Sequence, residues 1–374
     1  MESLNRVEIS RSALIHNFQV CRQLAGEAAI LPLVKADGYG HGMIDCARIF
    51  ASQGAAAFGV AEAIEGVRLR EAGITQPILV LVGVVPHTLP AIVNARLTPV
   101  VPDATILPAL SRLAGASDSE LGVHLKVDAG MGRQGTLPAD FRDLVRAVLA
   151  TPHLRLDGVM AHFPLADDRQ SDNSADVLRT FQQTTAMLAD FNCGKCCLHL
   201  ANSGGLFYVA GARLDMVRPG IALYGYYPDG AAGAATAPSP RLRPAMRYAT
   251  RIIQMRRVPA GSGLGYSHLF TTAKPSTIAV LPVGYANGYL RNLTGRAEVL
   301  VGGRRAPVVG RISMNLTLAD VTDLPEPQVG DEVVLLGRQG QEEIAADEIA
   351  GWMETISYEV LCLFGQLNAR VLVD

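Results

Sequence analysis

The sequence predicts an α/β protein, a (β/α)8 barrel of the TIM type followed by a smaller, mostly antiparallel β domain. Three observations predict it. Short apolar runs alternate with amphipathic helical stretches as far as about residue 240. The residues best suited to chemistry stand directly after those runs. Beyond the uncharged stretch 231–240 the pattern changes to β-branched runs broken by glycines. The expected division is 1–240 for the barrel and 241–374 for the β domain, with residues 1–10 available to pair with the second domain.

Eight runs read as barrel strands, at 30–34, 57–60, 78–82, 97–100, 123–127, 156–160, 196–200 and 214–217. Each is short and apolar, as a strand buried on both faces should be. Between them, stretches such as 43–51, 61–72, 141–149 and 175–189 place apolar residues at three- and four-residue steps, the period of a helix with one buried face. Eight such units joined in parallel point to a closed barrel, and an open doubly wound sheet fits the same alternation. The stretch 231–240 carries no charge and little bulk, so it is expected to be a linker rather than a packed element. After it, 278–283, 297–301, 307–309 and 332–336, interrupted by Gly302-Gly303 and Gly330-Asp331, read as strands of the second domain.

With 374 residues, 49% of them hydrophobic, the chain can bury a large core. A formal charge of -2 and the lack of any long lysine and arginine block argue against nucleic acid or an anionic membrane as the main partner. The first eight residues lack a basic segment followed by an apolar one, and the longest apolar run, 78–85, is too short to span a bilayer. These features fit a cytoplasmic enzyme acting on a small molecule. The six cysteines are spread unevenly, unlike a secreted disulfide framework. Cys193, Cys196, Cys197 and His199 offer sulfur and nitrogen, but strand alternation scatters them, and no metal site is expected.

Candidate functional residues collect at the carboxyl ends of the predicted strands, where sites in this architecture lie. Lys35 follows the first strand and opens the glycine-rich turn Lys35-Ala36-Asp37-Gly38-Tyr39-Gly40-His41-Gly42. A lysine there is partly desolvated, which favours the neutral amine that forms a Schiff base. Asp128-Ala129-Gly130-Met131-Gly132-Arg133-Gln134-Gly135 follows the fifth strand, His162 the sixth, Ala201-Asn202-Ser203-Gly204-Gly205 the seventh, and Arg218-Pro219-Gly220-Ile221 the eighth. Five loops distant in sequence would converge on one rim.

Taken together, the stretches 34–42, 126–135, 199–203, 217–225, 263–266, 284–288, 310–314 and 357–359 resemble the alanine racemases that use pyridoxal 5'-phosphate, with barrel-type amino acid decarboxylases as more distant relatives. The likeness spans nearly the whole chain. It implies a homodimer with its active sites at the subunit interface. Lys35 would hold the cofactor and serve one face of the substrate as base or acid; Tyr266 of the partner subunit would serve the other. Arg218 resembles the arginine aimed at the pyridine nitrogen, and His162 the histidine that supports it. Tyr39, Ser203, Gly220, Ile221 and Tyr358 match phosphate ligands, and Asn202 stands beside them in the cofactor site. Arg133 and the backbone of Met314 match groups that bind the substrate carboxylate, Arg133 also reaching the cofactor's phenolic oxygen. Tyr285 resembles a tyrosine lining the approach. Lys126 matches a lysine that is carbamylated in some members.

The implied activity is interconversion of L- and D-alanine, supplying D-alanine for peptidoglycan. A broad-specificity or serine racemase would share these residues, a decarboxylase would be expected to lack Arg218, and a non-catalytic cofactor carrier would need neither Tyr266 nor the second domain. Asp37 and Gly38 stand where the family usually shows asparagine and alanine, and Asn315 where aspartate is usual. The last change puts substrate preference or turnover in question rather than the reaction type.

Overall fold

Eight parallel strands close into a ring in the computed structural model, which describes residues 3–236 and 240–374. Six of them, Phe58–Val60, Ile78–Val80, Thr98–Val101, Leu121–Lys126, Leu154–Met160 and Cys197–His199, pair in chain order. Ala29–Ile30 and Met216–Val217 form a separate parallel pair. Backbone hydrogen bonds join the two sheets on both sides. Val34 N–H donates to Gly59 C=O (2.9 Å) and Gly59 N–H to Pro32 C=O (2.9 Å), while Asp215 N–H reaches Leu198 C=O (3.1 Å) and Arg218 N–H reaches Ala201 C=O (2.8 Å). Each predicted apolar run thus carries one strand, and the closed ring excludes the open-sheet alternative.

This barrel belongs to a unit formed by Leu14–Gly38 and Met43–Leu242. Its strands bury side chains on both faces, with Phe58, Val60, Ile78, Val80, Val123, Leu125 and Val159 fully enclosed. The surrounding helices bury one stripe each. Phe141–Ala150 buries Phe141, Leu144, Val145 and Val148, which share a face at helical spacing. Each such side chain contributes roughly 1.5–3 kcal/mol by leaving water. The expected linker is partly helical: Ala231–Thr236 forms a short helix, consistent with the high helix propensity of its alanines. Residues 237–239 of that stretch lie outside the described residues.

The second unit comprises the described residues up to 13, the segment Tyr39–Gly42 and Arg243–Asp374. Its sheet runs in the order Gln254–Val258, Ser276–Leu281, Thr317–Asp320, Arg304–Val309, Glu298–Val301, Glu332–Gln339, Met246–Arg251, Arg6–Ser10 and Arg370–Val373. All these neighbours are antiparallel except the last pair. Helices Ala346–Met353 and Ser357–Gln366 accompany the sheet. Gly40 (φ +83°) lies so close to the second of these that an added Cβ would stand 2.3 Å from Leu361 O. Arg370 Nη1 donates to Gly40 C=O at 3.3 Å, which ties the Tyr39–Gly42 segment to the same unit.

Candidate active site

Lys35 stands half-buried where the first barrel strand ends. The chain after it winds left-handed, with Ala36, Asp37 and Gly38 all at φ between 52° and 65°. The glycine-rich turn read from the sequence is therefore a left-handed coil of mostly non-glycine residues. Gly38 N–H donates to Val34 C=O (2.8 Å), and Asp37 Oδ1 accepts the Met43 N–H (2.9 Å).

Arg218, from the eighth strand, is 1% exposed. Its Nη1 donates to His199 Nδ1 (2.9 Å) and its Nη2 to Ala161 C=O (2.8 Å) and Leu200 C=O (3.1 Å), with His162 Nδ1 at 3.5 Å. No carboxylate pairs with it among the described residues. Burial lowers its pKa to about 10, which leaves the guanidinium charged at neutral pH. His162 is pushed down to about 3, first by burial and then by the charges of Arg218, Arg133, Lys126 and Lys35. It is a neutral imidazole, kept so by burial and by these positive charges.

Lys126 ends the fifth strand and is 6% exposed. Burial, then Arg133 and Arg218, lower its pKa to about 8, and its Nζ donates to Gln134 Oε1 (2.7 Å). Gln134 Nε2 in turn donates to Val82 C=O (2.9 Å). The loop carrying Arg133 is shaped by Asp128, whose Oδ1 accepts the N–H groups of Gly130 and Gly132, each at 3.0 Å. It closes through a bridge between Val127 and Thr136. Gly135 (φ +133°) is required there, because a Cβ would meet Asp128 N at 2.5 Å. Arg133 is exposed and pairs with no carboxylate among the described residues.

Ser203 opens a second cluster in the barrel. Its Oγ accepts the N–H groups of Gly220 (2.9 Å) and Ala222 (3.3 Å), so its own hydroxyl proton is left to donate elsewhere. Ile221 lies between them at the start of the 3-10 turn Ile221–Tyr224. Asn202 caps the helix Ser203–Tyr208, with Oδ1 accepting the Gly205 N–H at 2.8 Å. Lys35, Lys126, Arg133, His162, Asn202, Ser203, Arg218, Gly220 and Ile221 all belong to the barrel unit.

The remaining predicted residues belong to the second unit. Tyr39 is buried, and its ring lies 6.0 Å from that of Tyr358. Burial, then the neighbouring Tyr358 and Cys362, raise its pKa far above the usual phenol range, so it is a neutral hydrogen-bonding group. Tyr266 starts the 3-10 turn Tyr266–His268 and is 70% exposed, beside a cavity of about 340 Å³ lined with Arg311, Ser313 and Leu316. Tyr285 and Met314 are adjacent: Tyr285 N–H donates to Ser313 C=O (3.2 Å) and Ala286 N–H to Met314 C=O (3.0 Å).

The structure adds two histidines and one glutamine to the residues read from the sequence. His199 and His124 lie behind Arg218, and Gln134 holds Lys126. Strand alternation carries part of the signal, since His124 and Lys126 are two residues apart on one strand and share a face.

Residues 9–228 match the family model of the alanine racemase N-terminal domain, and residues 245–372 that of the alanine racemase C-terminal domain. The chain is 42% identical over 361 residues to the alanine racemase of Syntrophobacter fumaroxidans, covering 96% of this chain and 95% of that one. The crystal structure of alanine racemase from E. faecalis superposes with a TM-score of 0.92 at 35% identity, covering 99% of this chain and 98% of that one. That of alanine racemase from Bartonella henselae with covalently bound pyridoxal phosphate does so with a TM-score of 0.89 at 26% identity, each chain being fully covered. Over both domains and nearly its whole length, the chain belongs to the alanine racemase family.

Proposed function

We propose that this chain is a pyridoxal phosphate-dependent racemase that interconverts L- and D-alanine, working in the cytoplasm as a homodimer and supplying D-alanine for peptidoglycan. The observation that carries this reading is Arg218, a buried guanidinium held by a neutral histidine and two carbonyls rather than by a carboxylate. A donor that never yields its proton keeps a facing ring nitrogen unprotonated. That arrangement favours racemisation over side reactions such as transamination, whereas a carboxylate there would promote ring protonation and suit a decarboxylase.

The donor set fits the cofactor. Ser203 has a hydroxyl proton to give beside the Ile221 amide, and the Gly220 amide, by donating to Ser203 Oγ, orients that hydroxyl; this would suit a phosphate without excess positive charge. Tyr39 and Tyr358 would add phenol donors, and Asn202 is the further residue assigned to the cofactor. Lys35 would hold the cofactor covalently. Once bound, pyridoxal phosphate supplies the electron sink that makes the Cα proton of an amino acid removable. Lys35 then carries the proton on one face of Cα, and Tyr266 of the partner subunit carries it on the other. The high exposure of Tyr266 within one chain is consistent with a role in a neighbouring subunit's site.

Arg133 and the backbone of Met314 would orient the substrate carboxylate, and Tyr285 would line the approach. His162, kept neutral, would support Arg218 without adding charge. Lys126 would be carbamylated: a pKa of about 8 leaves enough neutral amine near neutrality to add carbon dioxide, forming an N–C bond and releasing a proton. The new anion would neutralise its repulsion of Arg133.

The test is polarimetry of L-alanine with the purified protein, alongside serine and lysine, together with an assay for pyruvate and carbon dioxide. Loss of optical rotation with alanine conserved supports the reading. Carbon dioxide release, pyruvate accumulation, or faster turnover of serine than of alanine would each replace it.

A further inference from the structure

The left-handed turn after Lys35 does not hold itself. Ala36 (φ 52°, ψ 46°) and Asp37 (φ 54°, ψ 46°) sit where an L-residue costs roughly 1–2 kcal/mol. Such backbone persists only where its surroundings enforce it. Two of the bonds that do so are local, Gly38 N–H to Val34 C=O and Met43 N–H to Asp37 Oδ1. Another comes from far along the chain: Glu65 Oε1 accepts the Ala36 N–H at 2.8 Å.

The other oxygen of the same carboxylate accepts the N–H groups of Ala61 (2.7 Å) and Glu62 (3.2 Å), where the second barrel strand turns into the helix Ala63–Glu71. One side chain therefore fastens the residue after the lysine to the neighbouring strand end. The N–H it grips belongs to the peptide plane that starts at the Lys35 carbonyl carbon. Because the strand just before Lys35 is held by the Val34 N–H to Gly59 C=O bond, restraining that plane restrains ψ of Lys35, and with it the direction in which the Lys35 side chain leaves the backbone.

We propose that Glu65 is a positioning residue for Lys35, holding the left-handed turn so that the amine points where it must react. This rests on the reading of Lys35 as the cofactor-bearing lysine. A helix cap alone would be a different role for Glu65, since the carboxylate also satisfies the entry into Ala63–Glu71. The two roles separate because only positioning moves the chemistry of Lys35.

The experiment uses the full-length protein with Glu65→Gln and Glu65→Ala. Glutamine keeps the shape but must set its NH2 against an N–H on one side or the other. In cofactor-free protein, covalent attachment of pyridoxal phosphate is followed by absorbance and by borohydride trapping with peptide mapping; amide hydrogen exchange is read at residues 34–38 and at 61–71. In the loaded enzyme, kcat and KM for alanine are separated. We expect attachment at Lys35 and kcat to fall about 10- to 100-fold, with KM little changed and exchange at 34–38 accelerated. If Glu65→Ala does not fold, Glu65→Gln decides. A folded variant that loses thermal stability yet attaches the cofactor at the wild-type rate, with exchange at 34–38 unchanged, overturns the proposal in favour of a cap. Wild-type protein that traps no cofactor on Lys35 would instead sink the racemase reading, and the exchange comparison would still decide whether Glu65 holds the turn.

Discussion

Arg218 Nη1 and His199 Nδ1 face each other at 2.9 Å, and this contact fixes the protons of a buried chain. A guanidinium only donates, so His199 Nδ1 must accept. The His199 proton then sits on Nε2, which donates to His124 Nδ1 at 2.7 Å, and His124 carries its own proton on Nε2. Both rings are buried, and the imidazoles meet edge to face with centroids 4.9 Å apart. The polarity of the chain runs one way, outward from the cation that is proposed to face the cofactor.

His199→Phe breaks that chain at its middle. Arg218 loses a partner for a buried charged donor, and His124 Nδ1 loses its donor. Leaving such groups unpaired in the interior costs about 3–5 kcal/mol. Denaturant unfolding of the cofactor-free protein should show a loss of that size; a change below about 1 kcal/mol would mean the contact is not held in solution.

Acid should destabilise the protein before its carboxylates titrate. His124 is lowered to about 4 by burial foremost, His162 to about 3, and His199 well below its ordinary 6.5, again with burial as the largest cause. In each case the unfolded chain binds the proton more readily, so stability is full above about pH 6.5 and is lost as pH falls toward 4. Each histidine contributes up to about 1.4 kcal/mol per pH unit across that window. Unfolding free energies measured at several pH values should slope accordingly, and a flat profile between about pH 6.5 and 4.5 would contradict the assignment of neutral, buried rings.

Gly135→Ala tests the loop that presents Arg133. The added methyl carbon would press on Asp128 N at 2.5 Å and on Val127 C at 2.8 Å, in a backbone conformation that alanine resists. The expected cost is about 2–3 kcal/mol, with weakened binding of alanine as Arg133 shifts. A variant with wild-type stability and KM would show that the loop adapts freely.

Intact mass spectrometry in bicarbonate buffer should find one carbon dioxide added to the chain, removed by Lys126→Ala. Because the Lys126 pKa lies at about 8, occupancy should rise from mildly acid to mildly alkaline pH as the amine becomes neutral. A bare mass under native conditions at every pH would remove the carbamate.

The barrel was legible because its strands are enclosed on both sides, so Ile78–Val80 and Leu121–Lys126 stand out as apolar runs. Lys35 and Arg218 were legible for the same reason, as charged residues directly after such runs. The second unit was harder. Gln254–Val258, an end strand of its sheet, reads QMRRV and is largely exposed, so it shows no hydrophobic signature. Arg6–Ser10 and Arg370–Val373 pair across almost the full length of the chain, which no local pattern reports. The left-handed angle at Ala36 opposes the preference of alanine, and the carboxylate that holds its N–H lies 29 positions away. His124 and His199 look like ordinary packing residues until their hydrogen bonds to one another and to Arg218 are seen.

Isotope exchange at Cα tests the two-sided proton transfer most directly. Alanine of each hand is incubated in D2O with wild type, Lys35→Ala and Tyr266→Phe, and both racemisation and deuterium incorporation are followed. Tyr266→Phe should lose racemisation in both directions by roughly 100-fold or more while still exchanging the Cα proton of one enantiomer with solvent, and Lys35→Ala should lose both processes. Racemisation by Tyr266→Phe at the wild-type rate in both directions would contradict the account.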